Sequence, residues 1–239
     1  LKTRSPATVK NVLELFRRIV NFGIDKNLCS GLQFRLKMPK VSNLKTEDLT
    51  PDTLFRLLEV IDDEIKFGGN VIAANMMRLA LYTGMRRGEM FRLKWQDIDF
   101  NRGFISLKDP KGGIDQEIPL NDGAREVLVT HETFIDSMFV FPGRDGKQRT
   151  DINKAVNRIK KKAGINPNFR ALQGLRHTYA SMLASSGLVD LYTLQRLLTH
   201  KSPAMTQRYA HLRDDALKGA AEVASTLVNK SRRKKRDNS

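Results

Sequence analysis

Apolar residues recur three and four positions apart through most of this sequence, the spacing that lines one face of an α-helix, and the pattern changes only near the middle. Ser5-Pro6 supplies an N-cap with Pro at the first helical position. Val9, Val12, Leu13, Phe16, Ile19 and Val20 then share a face, which predicts a helix over 6–22. Thr50-Pro51 opens another, with Leu54, Leu57, Leu58 and Ile61 on its buried side. Ile72 to Leu81 is apolar enough to be central, and Gly84 suits the left-handed position that ends such a helix. In the middle, Phe104–Leu107 and Gln116–Ile118 flank Asp109-Pro110-Lys111-Gly112-Gly113 and read as a β-hairpin, with Met138–Phe141 as a third short strand. Helices are expected again over 151–163, 175–186, 190–198 and 203–225. The expected fold class is mainly α with a small antiparallel β-sheet (α+β).

Residues 38–51 are polar, hold Pro39 and Pro51, and carry no apolar periodicity, so they read as a linker. Domains are expected at 1–46 and 47–228, followed by a flexible basic tail at 229–239. Lys and Arg number 42 against 26 Asp and Glu, a formal charge of +16. Setting aside Lys230–Ser239 leaves +11 on the rest, so the excess belongs to the folded part and points to a polyanionic partner. No apolar run approaches the ~20 residues of a membrane span, so no membrane association is expected. Cys29 is the single cysteine, which excludes an intrachain disulfide and a cysteine-based zinc site. Residues 1–20 lack the apolar core of a signal peptide, and the initial Leu reads as the start of a fragment. A cytoplasmic, DNA-associated location is the expectation.

Arg86 and Arg87 follow the helix-ending Gly84 and precede Glu89. Lys111 sits in the hairpin tip, Arg176-His177 near a helix start, His200 in a helix–helix turn, and Tyr209 nine residues later. Taken singly, these read as solvated charges, exposed tips and caps. Their order and spacing say more. Ala80-Leu81-Tyr82-Thr83-Gly84-Met85-Arg86-Arg87-Gly88-Glu89-Met90 resembles the first signature box of the tyrosine recombinase (phage integrase) family. Leu175-Arg176-His177-Thr178-Tyr179-Ala180-Ser181 resembles the second box. Leu197–Ser202 followed by Thr206-Gln207-Arg208-Tyr209-Ala210-His211 resembles the third. Lys111, eight residues before Pro119, matches the family's hairpin lysine. The resemblance covers about residues 47–225, and residues 6–40 look like the end of a helical core-binding domain.

The resemblance implies a site-specific recombinase that cleaves and rejoins DNA through a 3′-phosphotyrosyl intermediate, for integration or excision of a phage or mobile element. It implies Tyr209 as nucleophile, Arg86 and Arg176 as phosphate clamps, His200 as a hydrogen-bond donor and Lys111 as general acid for the 5′-oxygen. Glu89 supports the site. The residue types suit the chemistry. Tyrosine stores the phosphodiester as an ester. Guanidinium meets phosphate oxygens bidentately where negative charge develops. No cofactor and no metal are implied, and the expected partners are double-stranded DNA attachment sites and three further copies of the chain in a homotetramer. Two positions depart from the family pattern. Gln173 stands where His is usual and can donate to phosphate but cannot accept a proton. Thr199 stands where Gly usually precedes the third-box His, and no role is assigned to it.

The alternative reading is a non-catalytic DNA-binding protein that retains the recombinase fold, which Gln173 keeps open. A metal-dependent nuclease needs a carboxylate cluster. Asp97 and Asp99 are candidates, but they read as turn and capping carboxylates. A type IB topoisomerase shares the chemistry and would relax supercoiled DNA without a partner site. Trp95 reads as a packing anchor, and Met76, Met77 and Met85 as core residues. After Tyr209, Ala216, Leu217, Ala220, Ala221, Val223, Ala224 and Leu227 form an apolar series that packs on its own domain or docks on a neighbouring copy.

Overall fold

In the computed structural model, the described residues are 4–41, 47–108, 115–131, 137–213, 217–219, 221–223 and 225–226. The chain divides into two units, Leu1–Lys45 and Thr46–Ser239. The first contains α1 (Pro6–Asp25), whose N-cap Ser5 accepts a hydrogen bond from the Thr8 amide, as Ser-Pro predicts. Phe16, Ile19 and Phe22 on this helix are exposed, so the apolar face that the periodicity draws is not buried.

The second unit is built around α3 (Val71–Thr83), in which Ala73, Ala74, Met76, Met77, Leu79 and Ala80 are fully buried. Apolar residues on every side make it the central helix. It packs against α2 (Pro51–Lys66), α5 (Asp122–Thr130) and α7 (Ala171–Ser185). Thr50 caps α2 through its side chain, and Leu57 and Ile61 are buried on its inner face. Between α2 and α6 (Asn153–Lys162), the buried Glu64 carboxylate accepts from Arg158 at 2.8 Å, Lys162 at 2.6 Å and the Asn70 amide at 2.7 Å. Those contacts hold Glu64 well below the usual carboxylate range, at about 2.

A three-stranded antiparallel sheet runs in the order β1 (Ile98–Asp99), β2 (Phe104–Leu107), β3 (Gln116–Pro119). Ile105 pairs with Ile118, and Ile105 and Leu107 alternate inward to the core. The hairpin strands thus stand where their pattern predicts, while Lys111 and the rest of 109–114 lie outside the described residues. The third strand is Ile98–Asp99, not Met138–Phe141. The latter segment makes one isolated bridge, Phe139 to Lys94, because its partner at Leu93–Trp95 turns into a 3₁₀ helix after two hydrogen bonds.

The remaining helices are α4 (Arg87–Arg92), α8 (Leu191–Leu197) and α9 (Pro203–Thr206). α7 begins four residues before the expected 175, because Gly174 serves packing and does not break the helix. A Cβ there would lie 2.3 Å from the Phe169 ring. The single helix expected over 203–225 is also corrected. After α9 the chain tightens into a 3₁₀ helix, Gln207–Arg213. Thr206 and Tyr209, three apart, are both turned inward. Of the apolar series beyond it, the described Leu217 and Val223 are exposed. Among the described residues no helix is long and apolar enough to cross a membrane.

Candidate active site

The ends of α3 and α8 meet the buried face of α7. α3 stops at Gly84, whose φ of 64° is the left-handed conformation that glycine adopts freely. Close packing forbids a side chain there as well, since a Cβ would stand 2.5 Å from the Tyr179 ring. Arg86 follows as the N-cap of α4. Its amide donates to Glu89 Oε2 at 2.7 Å and its Nη1 donates to Oε1 at 2.8 Å. Glu89 is buried, so one carboxylate both caps the helix and fixes the guanidinium beside it. Arg86 Nη1 also donates to Thr199 Oγ1 at 2.6 Å, and Nη2 to the Thr199 carbonyl at 3.1 Å.

Arg176 on α7 is only 8% exposed. Its Nη1 donates to the Gly84 carbonyl at 2.6 Å and its Nη2 to the Leu198 carbonyl. These carbonyls terminate α3 and α8 and have no partner within their own helices. One guanidinium therefore fastens two helix ends. Burial, and secondarily the charge of Arg86, draw Arg176 down to about 10, which leaves it charged at neutral pH.

His200 Nδ1 lies 2.8 Å from Thr206 Oγ1. Burial, then the nearby Arg176 and Arg86, push its imidazole down to about 3, so it is neutral with Nε2 left for a ligand. Tyr209 is 1% exposed, and its hydroxyl is 2.6 Å from His177 Nδ1. Burial raises Tyr209, against the opposing pull of Arg208 and Arg176. Burial, then Arg208, lower His177 to about 4. The phenol and the imidazole are accordingly both neutral, and Oη and Nδ1 share a hydrogen bond whose direction follows the tautomer of His177. Among the described residues, His177 Nε2 is buried without a partner.

Arg86, Gln173, Arg176, His200 and Tyr209 all border one cleft of about 980 Å³. Gln173 is exposed one helical turn before Arg176, and Glu89 lies behind Arg86. Lys111 falls outside the described residues. The same cleft is lined by Arg87, Lys160, Arg170, Lys201 and Arg208, with no carboxylate among its described lining residues. Such a concentration of one sign in a concave site focuses the field on an anion. Sequence reading did not select Lys160, Arg170 or Arg208, nor His177 and Thr199 as contacts of the site. His177, Thr199 and Arg208 lie within the quoted boxes, whereas Lys160 and Arg170 lie outside them and carry no sequence signal. Lys160 is buried, and it holds the approach to α7 by donating to the Pro167 and Phe169 carbonyls, both at 2.8 Å. Asp97 and Asp99 take the capping role expected of them. Asp97 accepts from the Lys94 amide at 3.1 Å, and Asp99 from the Asn101 and Arg102 amides at 3.0 and 2.8 Å. Among the described residues no group of three or more His, Cys, Asp and Glu is arranged to hold a metal ion.

The two depressed imidazoles predict an acid weakness in the DNA-free protein. Native His177 and His200 refuse a proton that the unfolded chain accepts near 6.5. Their contribution to stability is complete above about pH 6.5 and is lost as pH falls toward 4 and then 3. The unfolding temperature is expected to decline between pH 6.5 and 4.5, above the range where Glu64, with an ordinary value of 4.5, begins to matter. Thermal unfolding across this window should show a shallower slope for His200→Gln, and equal slopes would contradict the assignment.

The sequence pattern of the phage integrase family matches residues 47–216. Tyrosine recombinase XerA of Pyrococcus furiosus is 31% identical over 203 residues, which cover 82% of this chain and 68% of that protein. The integrase of Salmonella phage P22 is 30% identical over 213 residues, 82% of this chain and 51% of its own length. The Tn1549 transposon integrase, solved with transposon right end DNA, shares the fold at a TM-score of 0.74 and 20% identity, covering 94% of this chain and 81% of that one.

Proposed function

The chain belongs to the phage integrase family, the tyrosine recombinases, and from that premise we propose that it cleaves and rejoins DNA at specific sites through a 3′-phosphotyrosyl intermediate formed on Tyr209. The observation that carries this reading is the convergence of Arg86, Arg176, His200 and Tyr209, from separate elements, on one cationic cleft. In the proposed step, Tyr209 Oη loses its proton to solvent as it bonds to phosphorus, the bond to the 5′-oxygen breaks, and that oxygen takes a proton from Lys111, which regains one from solvent. Arg86 and Arg176 hold the phosphate oxygens, where charge grows in the transition state. His200 donates from Nε2, which a neutral imidazole can do while its Nδ1 accepts from Thr206 Oγ1. Gln173 donates a hydrogen bond but has no titratable proton. Glu89 keeps Arg86 in place.

At 1% exposure Tyr209 is out of reach of DNA, so attack requires the 3₁₀ segment to move and Oη to leave His177. The 3₁₀ winding, with its poorer hydrogen bonds, suits a segment that must do so. Residues 1–46 serve as the end of a core-binding domain and its linker. The protein acts as a homotetramer on two double-stranded DNA attachment sites, in integration or excision of a phage or mobile element. The exposed Leu217 and Val223 support docking of the segment after Arg213 on a neighbouring copy. No cofactor is required, because the phosphotyrosyl bond retains the energy of the bond broken.

The test is to incubate the protein with nicked attachment-site DNA and look for an SDS-resistant adduct on the 3′-phosphate side. DNA that is bound but never joined to protein would refute the proposal. The role of Lys111 is separable. Lys111→Ala is expected to slow cleavage of ordinary DNA by about 10²–10⁴-fold, the range of general-acid catalysis. A 5′-bridging sulfur leaves without a proton, so that substrate should restore most of the rate. Equal impairment on both would make Lys111 a phosphate contact only.

A further inference from the structure

α8 ends in a Schellman turn. The Thr199 amide donates to the Arg196 carbonyl and the His200 amide to the Gln195 carbonyl, both at 3.0 Å, and Thr199 between them has φ 49°. Glycine normally holds this left-handed position, and a β-branched side chain there crowds its own backbone. Among the described residues, the only other non-glycine with positive φ is Asn27, a residue type that tolerates it. A threonine at such a site calls for a local reason, and Arg86 supplies it. Thr199 Oγ1 accepts from Nη1 at 2.6 Å, and its carbonyl accepts from Nη2 at 3.1 Å, so one residue grips both ends of the guanidinium. The second Nη1 proton goes to Glu89 Oε1 at 2.8 Å. Of the five guanidinium donors, Nε–H and one Nη2–H have no partner among the described residues. They form a parallel pair, the fork that meets two oxygens of a phosphate. A glycine at 199 would keep the carbonyl contact and lose the other.

We propose that Thr199 is a positioning residue, whose hydroxyl, held in a strained left-handed turn, orients Arg86 so that its free fork faces the phosphate of the DNA. The inference rests on the recombinase reading for what Arg86 binds, but the anchoring itself does not. Thr199 touches no reacting atom, and it acts through Arg86 alone.

Three proteins decide the matter: the unmodified chain, Thr199→Gly and Thr199→Ser. Thr199→Gly relieves the backbone, so its unfolding temperature is expected within about 2 °C of the unmodified protein or above it. Its DNA affinity should stay within about twofold, since affinity is spread over many phosphate contacts. Its single-turnover cleavage of nicked DNA should fall about tenfold, the loss of one hydrogen bond to a charged group. Thr199→Ser retains the hydroxyl and should recover to within about threefold of the unmodified rate. Side-chain NMR of arginine reads the anchoring without any cleavage. The Arg86 Nη protons should be resolved in the unmodified and serine proteins and averaged in the glycine variant. The proposal is overturned by unmodified cleavage in Thr199→Gly, by a serine variant as slow as glycine, or by Nη protons equally resolved in all three. A fall in unfolding temperature of more than about 5 °C alongside slow cleavage would assign Thr199 to the turn alone. An unmodified protein that cleaves nothing would refute the recombinase reading and leave the NMR comparison to decide the anchoring.

Discussion

Tyr209→Phe is expected to bind attachment-site DNA as the unmodified protein does and to form no covalent adduct. The ring packs with Ala180, Ala184, Leu194 and Leu198 in a small buried cluster, and phenylalanine fills the same space. What disappears is the oxygen that would bond to phosphorus. The substitution also leaves His177 Nδ1 without its hydrogen-bond partner, beside an Nε2 that has none among the described residues. That costs about 1–2 kcal/mol, typical of a buried polar group deprived of its hydrogen bond, so a modest fall in unfolding temperature should accompany the loss of chemistry. Labelled nicked DNA on a denaturing gel reads the first effect and thermal unfolding the second. The remaining tyrosines are Tyr82, Tyr179 and Tyr192, so an adduct that persists in Tyr209→Phe would pass the nucleophile to one of them.

Much of the fold is written in local chemistry. Ser5-Pro6 and Thr50-Pro51 announce helix starts because a capping oxygen and a fixed φ act within four residues. Gly84 announces an end because few other residues accept its dihedral angle. Met138–Phe141 misleads because a strand is defined by its partner, and the partner here is a two-residue approach to a 3₁₀ turn. The break after Thr206 is equally invisible. Nothing in Thr206–Arg213 forbids an α-helix, and the tighter winding belongs with the burial of Tyr209 against residues of α7 and α8. At the candidate site, box spacing is enough to select Arg86, Gln173, Arg176, His200 and Tyr209 for one cleft. It does not reveal that Thr199 grips Arg86 across 113 positions or that His177 holds Tyr209 across 32. A departure from the family pattern at 199 marked the first, and only the folded chain explains it.

Arg176 and Arg86 are both read as phosphate clamps, yet replacing each with lysine is expected to give different signatures. Both exchanges remove a planar fork and should slow cleavage by about 10²–10³-fold, the usual loss when a charge-stabilising donor is removed. The Arg86 side chain is partly exposed, and a lysine there still offers Glu89 its countercharge, so stability should hold. Arg176 is buried and spans the Gly84 and Leu198 carbonyls, so a shorter, single-centred ammonium should loosen the two helix ends and lower the unfolding temperature. The sharper difference is in pH. Burial takes the guanidinium from 12.5 to about 10, where it remains charged at every working pH. The same burial applied to lysine, ordinarily near 10.4, would lower it toward neutrality. Arg176→Lys should therefore lose its residual cleavage as pH rises on the alkaline side of neutrality, while Arg86→Lys follows the unmodified profile. Single-turnover rates from pH 6.5 to 9 make the comparison. Parallel profiles would mean that position 176 is wetter than its burial implies. A titration confined to Arg176→Lys would show why this position needs arginine: among basic side chains, guanidinium alone keeps its charge after giving up so much water.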